Sequence, residues 1–201
     1  VSDLFSSPLL WVEQPTRLPV AKARYKVLDG GGTVVAKAAE QGVSLKRAAA
    51  RAVFGDAKRR LVEVRGPSDE ALLVIEAYSE SNAFVMWPNG ARIGSFEAAR
   101  RERYHSRAII DHAGHQAGLL RAGKVGRRYE VTDAYGAVAA QIDKKWTGVV
   151  KEMVTSADRY RVEIHRPLPD PLRLLVPVAA IALDMIFFEN KDWGLDGWPA
   201  G

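Results

Sequence analysis

Four histidines, 24 carboxylates and no cysteine define the chemistry open to this 201-residue chain. Without a thiol there is no cysteine nucleophile, disulfide scaffold, cysteine zinc site or S-acylation. The string Asp111-His112-Ala113-Gly114-His115 sets an acid and two imidazoles within five residues, donors that a metal could use. The same residues spell a hairpin tip, where they would stand in solvent. His105 and His165 offer no predictable convergence on them, so no metal is expected. Ser-His-Asp catalysis would need a nucleophile elbow, and no G-x-S-x-G occurs. Gly30-Gly31-Gly32 is not followed by the Gly-Lys-Ser/Thr of a phosphate-binding loop and reads as a turn. No catalytic residue and no cofactor are expected, and binding is the better expectation than covalent chemistry.

Charge is the stronger signal. Lys plus Arg is 29 against 24 acids, a formal +5 with a pI near 9.5. Residues 100–128 hold eight Arg or Lys against Glu102 and Asp111, and residues 42–65 hold seven against Asp56 and Glu63. Such segments suit anionic lipid headgroups or nucleic-acid phosphates, or are simply solvated faces. Tyr104 and Tyr129 are the only aromatics near the richer cluster, too few for base stacking, so nucleic acid is the weaker expectation. Arg127 and Arg128 enter one strand, and Lys144 and Lys145 leave the next. Antiparallel pairing across Asp133–Gly136 would gather these four cations into one anion-binding patch. Asp184 stands alone in an apolar stretch. It reads either as an ion site or as an acid near a barrel end, paired with an Arg or capped by backbone donors.

These residues need elements to hold them, and the elements repeat. Tyr25 to Ala36 and Tyr129 to Ala140 share a pattern of strand, Asp, two residues, Gly, three residues, Ala. Ile109 to Gly118 keeps the spacing with Asp111 and Gly114; Val85 to Gly94 keeps it with Trp87 and Gly90. Each predicts a β-hairpin, in which Asp or Asn caps the turn and Gly supplies positive φ. A fifth hairpin is predicted from Leu61–Arg65 and Ala71–Glu76. Leu9–Glu13 reads as an opening strand, and Trp146–Val154 and Tyr160–Ile164 as late ones. Ser44–Phe54 and Phe96–Tyr104 are predicted as short helices.

Pro171 to Phe188 differs in kind. Asp170 is expected to cap a helix with Pro171 at its first position. Apart from Arg173 and Asp184 the stretch is apolar on every side, so the helix should be surrounded. Pro177 should kink it or mark its true start. The economical arrangement is a sheet curled around a central helix. The ten apolar residues Leu174–Leu183 fall short of the ~20 a membrane span needs. Val1–Pro8 lacks the basic and apolar regions of a signal peptide. A cytoplasmic protein is expected, peripheral at most, with one domain over 1–201, its core at 9–190 and a flexible tail at 191–201.

The D-x-x-G hairpins, then Val154 to Leu175, then Leu183 to Asn190 resemble the phospholipid scramblase-related family. That family is similar in fold to the tubby C-terminal domain and to plant LURP-one-related proteins. The resemblance implies a mainly β fold, an antiparallel twelve-stranded tubby-like barrel enclosing a hydrophobic C-terminal helix. It also implies a non-enzymatic domain, with anionic phospholipid or a membrane surface as the partner. The alternative is a protein- or nucleic-acid-interaction module without lipid activity. The sequence lacks the Pro-rich N-terminal region and palmitoylated cysteines of eukaryotic scramblases. Their proposed calcium segment would map onto Ser156–Pro167. Asp158 and Glu163, beside Arg159 and Arg161, do not supply the several carboxylates calcium prefers, so no calcium site is expected.

Overall fold

The computed structural model describes residues 3–14, 24–41, 59–78, 81–100, 102–124, 127–146 and 158–187. Twelve strands run β1 (Leu9–Gln14), β2 (Arg24–Asp29), β3 (Val34–Glu40), β4 (Arg59–Arg65), β5 (Ala71–Tyr78), β6 (Ala83–Met86), β7 (Arg92–Ala98), β8 (Arg107–Asp111), β9 (Gln116–Ala122), β10 (Arg128–Asp133), β11 (Val138–Trp146) and β12 (Asp158–Ile164). Each pairs antiparallel with its sequence neighbours, and β12 pairs with β1, so the sheet closes into a barrel without an edge.

The repeated turns work as their residues dictate. The Asp133 carboxylate accepts hydrogen bonds from the N–H groups of Tyr135 and Ala137, both at 2.9 Å. Gly136 sits at φ 82, and the register shifts between Val131 and Thr132. This is a type I turn closed by a glycine bulge. Asp29 with Gly32 and Asp111 with Gly114 repeat it, and Asn89 caps the Gly90 turn through Ala91. The fifth hairpin joins β4 to β5 with Asp69, not a glycine, at φ 66. These five hairpins lie at one end of the barrel, the turn end. The β5–β6 hairpin, closed by the Tyr78 N–H donating to the Asn82 carbonyl at 2.9 Å, lies at the other, the loop end, with the connections β7–β8 and β9–β10 and the strand ends flanking residues 15–23, 42–58 and 147–157.

The core helix enters at the turn end. It comprises α1 (Leu172–Leu175), a 3-10 turn (Val176–Val178) and α2 (Ala179–Phe187), in which every residue is buried. Pro177 lies in the 3-10 turn, so it interrupts the helix as its missing N–H requires. Two β-strand glycines make room. A Cβ on Gly94 would come within 2.8 Å of Leu175, and one on Gly118 within 3.2 Å of Leu172.

Two expectations change. Phe96–Tyr104 is not a helix: Arg92–Ala98 is β7, with Gly94 and Phe96 turned to the core and Ser95 and Glu97 hydrogen-bonded to each other outside. Strand pairing on both sides outweighs the helix propensity of Glu97 to Arg100. Asp170 does not cap the helix, which starts one residue later; its carboxylate holds the Arg173 guanidinium at 2.8 and 3.1 Å. Of the strand expected over Trp146–Val154 only Trp146 is described, as the last residue of β11, and residues 147–154 lie outside the described residues. The helix expected over Ser44–Phe54 also lies outside them.

Candidate functional site

Strands β2, β10 and β12 each carry, near the loop end, an inward tyrosine followed two residues later by an inward valine: Tyr25 and Val27, Tyr129 and Val131, Tyr160 and Val162. The period of two puts each pair on one face. Two of these phenols meet the helix acid. Tyr160 donates to Asp184 Oδ1 at 2.6 Å and Tyr25 donates to Oδ2 at 2.9 Å. Lys144 Nζ lies 3.9 Å from Oδ1 and 5.2 Å from the centre of the Tyr160 ring. Asp184 and Lys144 are 1% and 7% exposed at the side chain, which makes this a buried ion pair. Burial, and then the neighbouring Asp184 carboxylate, push the Tyr25 phenol well above its ordinary range. It stays a neutral donor. Arg60 and Glu40, also turned inward, pair at 2.8 Å beside Tyr25.

The next part of the wall is lined differently. Arg107 is buried and donates through Nη1 to the carbonyls of Tyr104 and Ser106, both at 2.8 Å. Its guanidinium stacks 4.3 Å from the centre of the Phe187 ring, and burial lowers its basicity. Tyr104 and His105 pack on the same ring at 5.8 and 4.6 Å. The last described helical residue is therefore held by the β7–β8 connection. Tyr129, whose hydroxyl has no partner among the described residues, is pushed up by burial.

The structure divides the four predicted cations. Arg127 and Arg128 are exposed where β10 begins, and the Arg127 carbonyl accepts the Lys144 N–H at 2.7 Å. Pairing across the Asp133 turn thus brings these backbones together as expected. Lys144 is a correction: its side chain points into the barrel. Ile142 faces the core, and the residue two positions on must share that face. That parity was readable in the sequence, as was the need of Asp184 for a countercharge. The Lys145 backbone pairs with Arg159; its side chain lies outside the described residues. Arg128 also reaches Asp143 and Gln141, at 3.5 and 2.8 Å.

The chemistry of the pattern is electrostatic and hydrogen-bonding. His115 is exposed beside Asp111, and Glu163 pairs with Arg161 at 2.8 Å. Among the described residues no three His, Cys, Asp or Glu side chains gather as metal ligands. No helix among them is long and apolar enough to cross a membrane.

The sequence profile of the family described as Scramblase matches residues 20–190. The chain belongs to the scramblase family. Two solved structures align with most of this chain. One is of a protein from Arabidopsis thaliana, at 10% identity, covering 88% of this chain and 94% of that one, with a TM-score of 0.49. The other is titled a putative outer membrane lipoprotein-sorting protein domain from Vibrio parahaemolyticus, at 8% identity, covering 84% and 91%, with a TM-score of 0.26. A comparison with curated proteins finds no match. Family membership agrees with the observed closed twelve-stranded barrel around a C-terminal helix.

Proposed function

We propose that this scramblase-family barrel is a non-enzymatic domain that binds anionic phospholipid headgroups through a basic surface, peripherally at a cytoplasmic leaflet. The observation that carries the reading is the exposed pair Arg127–Arg128 at the start of β10, in a chain whose family name concerns lipid. Exposed cations near a negatively charged leaflet each contribute roughly 1 kcal/mol within a Debye length, about 8 Å at physiological salt. Lys145 belongs to the same proposal as a third cation. Lys144 does not, because its side chain is buried against Asp184.

Co-sedimentation with phosphatidylcholine vesicles containing phosphatidylserine tests this. Wild type should bind at low salt and release as salt rises. Arg127→Glu with Arg128→Glu should weaken binding by about thirtyfold or more, since two cations at roughly 1 kcal/mol each are lost. Both side chains are exposed, so the melting temperature should fall by no more than a few degrees, the share lost where Arg128 leaves Asp143 and Gln141. Wild type ignoring the vesicles at low salt, or the variant binding equally well, would leave a protein-interaction module as the better reading.

A further inference from the structure

Among the described residues the two ends of the barrel differ in how their cations are paired. Both ends carry ion pairs, and at the loop end Arg59, Arg60, Arg128 and Arg159 are held by Glu76, Glu40, Asp143 and Glu13. At the turn end arginines are held by carboxylates: Arg166 by Asp133, Arg173 by Asp170, Arg92 by Glu97 and Arg65 by Glu63 and Asp69. The Glu70 side chain there is exposed. At the loop end the β7–β8 and β9–β10 connections lie side by side and carry Arg100, Arg103, Lys124 and Arg127, all exposed. Arg103 Nη1 reaches the Ala122 carbonyl at 3.4 Å and ties the two connections together. Glu102, the acid among them, is held by Arg121 at 3.3 Å. Among the described residues no carboxylate pairs with Arg100, Arg103 or Lys124. Tyr104 stands among these cations at 63% exposure, its ring packed on Phe187.

From this geometry we infer that the chain docks on an anionic bilayer with its loop end down. The β7–β8 and β9–β10 connections make the contact, Tyr104 sits at the headgroup level, and the turn end faces away. This rests on the lipid-binding reading above and adds which surface engages and in what orientation. Charge complementarity selects the end. Four cations on two adjoining connections face the leaflet, while the acids of the other end are kept farther from it than a Debye length. The barrel sets that separation: β9 has seven residues, so it spans about 20 Å from end to end before tilt. An exposed tyrosine among cations suits the wet, half-apolar headgroup layer. One exposed aromatic is too few for a nucleic-acid strand, whose bases stack on several. A consequence follows for the helix. Tyr104 touches both the proposed bilayer contact and Phe187, so the C-terminal end of the core helix lies directly behind the docking surface.

The absence of cysteine permits a direct test. Single-cysteine variants Tyr104→Cys and Tyr135→Cys, the latter at a turn tip 97% exposed, are labelled with an environment-sensitive fluorophore. They are mixed with phosphatidylserine-containing vesicles carrying a quencher at the headgroup level, and sedimentation is followed in the same samples. The inference expects brightening and quenching at position 104 and neither at 135. An independent unlabelled variant, Arg100→Glu with Arg103→Glu and Lys124→Glu, should bind about a hundredfold more weakly. Sedimentation with a response at 135, at both positions, or at neither would overturn the orientation while leaving lipid binding intact. No sedimentation of the wild type would overturn the lipid reading itself and this inference with it.

Discussion

The turn-end half of the barrel interior is dry. Leu172, Leu175 and Val176 fill it, and Gly94 and Gly118 let the helix approach so closely that no side chain fits between. The loop-end half is wired: Asp184 is held by two phenols and a lysine, Arg60 pairs with Glu40, and Arg107 stacks on Phe187. One helix is thus secured by shape at its start and by directional bonds at its end. Shape fixes depth but tolerates rotation of a helix that is apolar all round. A carboxylate with three designated partners does not. The polar tier therefore specifies which face of α2 meets β2, β11 and β12.

The comparison is broken most severely by removing the acid. Asp184→Ala leaves Lys144 buried without its countercharge and two phenols without an acceptor. The cost should be about 3–5 kcal/mol, the range for breaking a buried pair from one side. That is a fall of roughly ten degrees or more in melting temperature for a chain of this size. The double variant Asp184→Leu with Lys144→Met should recover much of the loss, because both desolvated charges are then gone. Recovery of nothing would mean that the tyrosines, not the ion pair, dominate.

In the dry half the equivalent break is steric. A Cβ on Gly94 would lie 2.4 Å from the Ile110 carbonyl oxygen as well as 2.8 Å from Leu175. Gly94→Ala should cost about 1–3 kcal/mol through forced backbone movement, read by denaturant midpoint. The same change at a solvent-facing turn glycine such as Gly136, with nothing within 4 Å of its Cβ, meets no neighbour and should cost about 1 kcal/mol or less from its positive φ alone.

The smallest effect is in the turns themselves. The Arg166 guanidinium beside Asp133, helped by the N–H groups of Ala137 and Tyr135, holds its carboxyl below the usual range. The His115 N–H, and then that of Ala113, do the same at Asp111. A folded-state value below the unfolded one stabilises the fold above about pH 4, and that share is lost as the pH falls through the folded value. Asp133→Asn should therefore flatten the acid limb of a melting-temperature profile between about pH 4 and pH 2. An unchanged limb would show that the turn carboxylates do not set acid stability.

The turn end was readable because its chemistry is local. Asp133 to Gly136 carries its own cap, its own bulge and its own sign of φ, so four repeats were enough to predict an antiparallel sheet. The core helix was readable from the lack of any polar face over residues 174–183. The polar tier was not, because Tyr25, Lys144, Tyr160 and Asp184 are brought together only by closure of the barrel between β1 and β12. Lys144 is instructive: its charge suggested the surface, while its parity with Ile142 placed it inside. Phe96 failed in the opposite sense, since a helix-favouring stretch was overridden by two strand partners.

The most direct test of the two-ended account is vesicle binding, read beside melting temperature, for matched charge reversals at opposite ends. Arg103→Glu with Lys124→Glu at the loop end should weaken binding to phosphatidylserine-containing vesicles about thirtyfold and leave melting within a degree or two. Arg166→Glu at the turn end sets a like charge against Asp133; it should lower melting by a few degrees and leave binding intact. Equal loss of binding in both variants, or wild-type binding in the loop-end variant, would contradict the account.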